Sequence, residues 1–174
     1  TEGDAASVID ATITVTDVDD TMLESAVIQI TGNLQAGSDI LDIPSGSGIA
    51  GKTWIPSLGR LTLTGTATVA QYQAALRSTT FENTSDNPSP LDRTITWTVN
   101  DGTVDSASQT STIEFTAVND NPVVTLPGAS INYTENDPAT IVDATATVTD
   151  ADSADFDGGR LQAGFAGATG TVND

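Results

Sequence analysis

The chain has 174 residues and a mass of 17.8 kDa, room for one domain of ordinary size plus part of another. Its 24 acidic residues outnumber 5 basic ones, for a net charge of −19, so clustered cations that would neutralise nucleic-acid phosphates or an anionic membrane surface are missing. Cysteine and histidine are absent, which excludes disulfides, thiol nucleophiles, Cys/His zinc sites and imidazole acid–base chemistry.

Period-two alternation marks the predicted strands. Ile9, Ala11, Ile13 and Val15 alternate with Asp10, Thr12, Thr14 and Thr16, which predicts a strand over residues 9–16. Ile28 with Ile30, Leu41 with Ile43 and Leu61 with Leu63 predict three more. Thr68 and Gln71 make a capping-box pair, and Val69, Tyr72 and Leu76 fall on one helical face, so a short helix is predicted over 69–76. Ile95, Trp97 and Val99 alternate with Thr94, Thr96 and Thr98, placing Trp97 in the core. Asn100-Asp101-Gly102 then turns the chain, and residues 106–118 return with Ile113 and Phe115 inward, completing a hairpin. Pro122 stops that run, and the next strand resumes at Val123-Val124 or near residues 131–133. No apolar run approaches the roughly 20 residues of a membrane span.

An internal repeat organises these elements. Residues 1–19 lie over residues 134–152 at an offset of 133, with twelve of the nineteen positions identical and no gap. The expected domains are therefore 1–121, one repeat whose first strand is missing, and 122–174, the incomplete start of the next. Val142, Ala144, Val148, Leu161 and Phe165 form an apolar face of the second domain that needs covering. About seven short strands separated by turns indicate an all-β sandwich of two antiparallel sheets.

The acids are 19 Asp and 5 Glu, and the Asp sit beside Gly, Asn and Thr, so the acidity is borne by turns. Asp17, Asp19 and Asp20 share one turn; Asp150, Asp152, Asp155 and Asp157 share its counterpart; Asn119, Asp120 and Asn121 fill the linker. Two carboxylates about 4 Å apart repel by roughly 4 kcal/mol at an effective dielectric near 20, unless a cation joins them. An all-oxygen set of carboxylates, amides and carbonyls suits Ca²⁺ better than Mg²⁺. The other reading of each turn is a solvated one that keeps the protein soluble. Catalysis is not expected, since Ser and Thr nucleophiles have only Lys52 or a carboxylate as base. Trp54, between Gly51 and Pro56, is the aromatic best placed to stack on a sugar. Asn83-Thr84-Ser85 and Asn132-Tyr133-Thr134 fit the glycosylation sequon.

These residues carry a resemblance. Thr134-Glu135-Asn136 and Thr1-Glu2-Gly3, Thr149 to Asp152 (Thr-Asp-Ala-Asp) with its near match at Thr16 to Asp19, Leu91-Asp92-Arg93-Thr94, and the linker Ala117-Val118-Asn119-Asp120-Asn121-Pro122 occur in order. The chain thereby resembles the cadherin-like tandem repeats of large bacterial surface and secreted adhesins of the RTX type. That resemblance implies an Ig-like, Greek-key β-sandwich and Ca²⁺ held between consecutive domains. It assigns Glu2, Asp92, Asn119, Asp120 and Asn121 as ligands from one repeat and Asp150 and Asp152 from the next, with Asp17, Asp19 and Asp101 turned to a preceding domain. Thr94 and Ala117 stand where the family places carboxylates, so fewer or weaker ions are expected.

The functional expectation is a calcium-stiffened adhesive or spacer repeat of a long extracellular, cell-surface protein, with neighbouring repeats as its partners. Two alternatives stay open: a lectin-like module that uses Trp54 to bind an extracellular polysaccharide or receptor, and a subunit that assembles with its own kind by strand donation.

Overall fold

A computed structural model describes residues 1–128, 130–156 and 158–164 of the chain, in two units, Thr1–Asn119 and Asp120–Asp174. Asp157 and Phe165, both singled out from the sequence, lie outside the described residues.

In the first unit the alternation is realised as strands β1 (Ser7–Val8), β2 (Met22–Gly32), β3 (Asp39–Asp42), β4 (Gly51–Ile55), β5 (Arg60–Thr68), β6 (Thr80–Asn83), β7 (Arg93–Asn100) and β8 (Gln109–Ile113). They pair antiparallel in two sheets, one ordered β4-β5-β2-β7-β8 and the other β1-β6-β3. The fold is therefore the expected all-β sandwich. Leu23, Ala26, Ile28 and Ile30 of β2, Leu61 and Leu63 of β5 and Ile95 and Trp97 of β7 face Leu41 of β3 and Phe81 of β6 across a single core. Burying each large aliphatic side chain contributes about 1.5–3 kcal/mol. The inward residues Leu23 and Ala26 are three apart because the β2–β5 register shifts between Leu23 and Ser25, a bulge that keeps both on the core face.

The predicted helix is α1 (Val69–Arg77). Its capping box is formed: the Thr68 Oγ1 accepts from the Gln71 N–H at 3.2 Å, and the Gln71 Oε1 accepts from the Thr68 N–H at 2.9 Å. Tyr72 is fully buried on its inner face and donates its hydroxyl to the Gly65 carbonyl at 2.8 Å. Trp97 is buried as expected, with its Nε1 donating to Ser111 Oγ at 3.0 Å.

A buried ion pair ties the two sheets together. Asp39 on β3 and Arg93 on β7 are both inaccessible to solvent, with Nε to Oδ2 at 3.1 Å. The remaining guanidinium donors reach the carbonyls of Ser89 and Leu91, Gln35 Oε1 and Asp39 Oδ1, and the cation lies 4.7 Å over the Phe115 ring. Asp39 also accepts from Asn83 Nδ2 at 2.6 Å and from the Gln35 N–H at 2.7 Å. With each donor and both oxygens engaged, the pair is satisfied in a low-dielectric site. Asn83, the first of the two sequons, is buried in this network and closed to a glycan.

The strand expected over residues 9–16 is not formed. Strand pairing ends at Val8, with one more backbone bond from the Ile9 N–H to the Thr79 carbonyl at 3.0 Å, and backbone groups beyond it take side-chain partners. Asp10 Oδ1 accepts from the Thr12 N–H at 2.8 Å and from its hydroxyl at 2.6 Å, which bends the chain. Two long side chains of α1 serve the rest: the Val15 N–H donates to Gln73 Oε1 at 3.0 Å, and Arg77 Nε donates to the Ile13 carbonyl at 2.6 Å. Ile13 and Val15 still pack on the core.

In the second unit, strands β9 (Val123–Thr125) and β10 (Thr147–Thr149) pair antiparallel, with Val148 opposite Val124. Residues 131–133 form no strand. Val142, Ala144, Val148 and Leu161 of the expected apolar face are exposed.

Candidate functional site

The acidic turns are built by local hydrogen bonds, and the repeat reproduces them. Asp17 Oδ1 accepts from the backbone N–H groups of Asp19 at 3.2 Å and Asp20 at 3.0 Å. At the same offset, Asp150 Oδ1 accepts from those of Asp152 at 3.0 Å and Ser153 at 2.9 Å. The pattern extends upstream: Asp143 Oδ1 accepts from the Thr145 N–H at 2.8 Å and its hydroxyl at 2.6 Å, as Asp10 does from Thr12. Each turn is the geometry an Asp adopts when its carboxylate folds back on the N–H groups two and three residues on.

These bonds hold several carboxyls below the ordinary aspartate value. For Asp17 the donors are the N–H groups of Asp20 and Asp19, partly opposed by the charge of Asp101. For Asp101 they are the N–H groups of Val104 and Thr103, at 2.8 and 2.6 Å. For Asp143 the Thr145 hydroxyl leads, followed by its N–H, and for Asp10 the Thr12 hydroxyl leads in the same way. All of these carboxylates are ionised at neutral pH, so their charge is available to a cation.

One oxygen each from Asp17, Asp19 and Asp20 come within 4.8 Å of one another. Ca²⁺–oxygen bonds of 2.3–2.6 Å place opposite ligands about 5 Å apart, so the three fit one hard-cation coordination sphere. Asp101 lies near enough to Asp17 to act on its ionisation, which brings the β7–β8 turn beside this cluster. Of the residues assigned from the sequence, Asp17, Asp19 and Asp101 are thus neighbours in the first unit. Asp20, named in the turn but not among the ligands, completes the cluster; its adjacency to Asp19 was the available signal.

The other assigned residues serve the frame of their own unit. Glu2 accepts from the Val118 N–H at 2.7 Å, and its own N–H donates to the Thr116 carbonyl at 3.0 Å, fastening the start of the first unit to the segment after β8. Asp92 Oδ1 accepts from the Phe115 N–H at 3.1 Å. Asn119 closes the first unit, and Asp120 and Asn121 open the second, where the Asp120 N–H donates to Asp152 Oδ2. That bond places the linker aspartate beside the acidic turn of its own unit. Trp54 sits on β4 opposite Leu61, half-buried against the core. Arg93 stands out in the sequence only as part of the Leu-Asp-Arg-Thr motif; its neighbours in space, Asp39 and Gln35, are 54 and 58 residues away, beyond any local pattern.

Among the described residues no helix is long and apolar enough to cross a membrane. No family model matches the chain, and no solved structure matches it. Over 90 residues, 49% of this chain, the sequence is 32% identical to halomucin of Haloquadratum walsbyi. The matched stretch is 1% of that protein's length, so the chain is similar to a small part of a very much longer polypeptide.

Proposed function

We propose that the chain is a non-catalytic, calcium-binding repeat of a long extracellular surface polypeptide, stiffened when Ca²⁺ occupies its acidic turns. The observation that carries this reading is the cluster of Asp17, Asp19 and Asp20, whose oxygens converge within 4.8 Å, together with the matching turn of Asp150 and Asp152 one repeat later. Its donors are all oxygen, the chemistry Ca²⁺ selects. Asp120, hydrogen-bonded to Asp152, extends the second turn toward the linker.

A bound ion would offset the repulsion among these carboxylates and add to the stability of the folded units by mass action. The partial similarity to halomucin supports placement in a very long polypeptide, and the acidic composition favours solubility. Repetition of the unit along one chain supports an adhesive or spacer role, with the bound ion stiffening each acidic turn.

Calorimetric titration of chelator-treated protein tests the reading. Ca²⁺ is expected to give a saturable heat, with Mg²⁺ weaker, and Asp19→Asn with Asp20→Asn should remove the component from the first unit. Heats indistinguishable from dilution would overturn it.

A further inference from the structure

The triplets Thr14-Val15-Thr16 and Thr147-Val148-Thr149 are identical and stand 133 residues apart. The second has a strand paired with it, β9, and the first has none among the described residues. Beside the first triplet runs an open groove of about 450 Å³. Ile13, Val15, Trp97 and Val99 contribute its apolar lining. Its far wall is β8, the last strand of the five-stranded sheet, whose outer edge has no partner strand among the described residues. A groove with apolar lining and an unpaired sheet edge is suited to an added strand.

We propose that this groove takes β9 of a second copy of the chain, with Val123-Val124-Thr125 laid antiparallel along Thr14-Val15-Thr16. The register is the one β9 already keeps with the identical triplet, Val124 opposite the central valine. The new pairing therefore repeats, on an identical triplet, one that β9 already makes. The donor suits the acceptor. Val123 and Val124 are 57% and 51% exposed where they lie, and residues 122–134 carry no charge, so they can approach a groove lined by Asp10 without repulsion.

The exchange also costs little. A two-stranded ribbon of three residues per strand is marginal in water, and leaving it for the groove replaces the same backbone pairing of β9 while burying Val124, whose side chain falls on the same face as that of Val15. Each copy carries one groove in its first unit and one β9 in its second. The contact is consequently head-to-tail, and it propagates into open chains unless geometry closes a ring.

The proposal does not involve calcium, so its test is run in excess chelator, where failure of one reading leaves the other untouched. The native chain has no cysteine, which gives a clean background for cross-linking. Val15→Cys and Val124→Cys single variants, mixed at high concentration and mildly oxidised, should yield a mixed dimer, and the double variant a ladder of covalent oligomers. Facing residues of an antiparallel pair meet the distance a disulfide requires. Val124→Cys with Val148→Cys should close within one chain and serves as the control for geometry. Independently, Val124→Pro removes a ladder donor from β9 and should return light-scattering mass to the monomer while leaving the melting of the first unit unchanged. A wild-type protein that stays monomeric at high concentration would overturn the proposal. So would a Val15→Cys/Val124→Cys variant that closes only within its own chain.

Discussion

Residues 10–17 and 143–150 differ at one position of eight, Ile13 against Ala146, yet they end in different structures. Both begin with the same Asp–Thr turn, to the same hydrogen-bond lengths. Beyond that turn the first copy lays Ile13 and Val15 on a dense core and gives its backbone to Gln73 and Arg77 of the helix. Among the described residues the second copy has neither helix nor core beneath it, and its Thr-Val-Thr pairs with β9 as an exposed strand. Local chemistry sets the turn in both; the surroundings decide whether the following triplet becomes strand.

The largest expected break in this contrast is at the buried ion pair. Asp39→Ala leaves Arg93 charged and without its partner inside the core, so the first unit should lose about 3–5 kcal/mol in denaturant unfolding. Hydrogen exchange at residues 123–125 and 147–149 should not change, because the pair belongs wholly to the first unit. Equal loss of protection in β9 and β10 would mean that the two units unfold together.

A smaller effect compares the two valines directly. Val15→Ala removes two methyl groups that pack on the core and should cost about 1 kcal/mol. Val148→Ala, at a more exposed position, should stay within about 0.5 kcal/mol of wild type. Similar costs at both sites would show that the triplet's own propensity, rather than its setting, determines its stability.

The smallest effect concerns acid. Asp10, Asp17, Asp101 and Asp143 have folded-state pKa values below their unfolded ones, so their contribution is fully present above the ordinary aspartate value near 3.9. It is lost as pH falls through the lowered folded values, where the carboxylates protonate and release their donors. Asp101→Ala should therefore lower the Tm at pH 7, and the gap from wild type should close as melts are taken below about pH 4. A gap independent of pH would assign the turn's stability to something other than its charged acceptor.

Much of this was legible beforehand where one periodicity or one cap acts over a short stretch. The hairpin of β7 and β8 announced itself through Ile95, Trp97 and Val99, and the helix through Thr68 and Gln71. Residues 9–16 misled because perfect alternation also suits an extended segment whose backbone bonds go to side chains. Strand β4 left no mark, since Lys52 and Thr53 are both exposed and break the alternation. The acidic turns were legible as clusters of Asp, and their bonds follow from Asx geometry. The Asp39–Arg93 pair was not, because the fold alone brings together residues 54 positions apart.

Thermal unfolding of the full chain, in Ca²⁺ and in excess chelator at one ionic strength, tests the calcium reading most directly. Fixing the ionic strength matters at a net charge of −19, since salt of any kind screens exposed carboxylates. The account predicts a higher Tm in Ca²⁺, equivalent to about 2.7 kcal/mol at a hundredfold excess over Kd, and a smaller rise when Asp19→Asn and Asp20→Asn are combined. Superimposable melting curves in Ca²⁺ and chelator would contradict it.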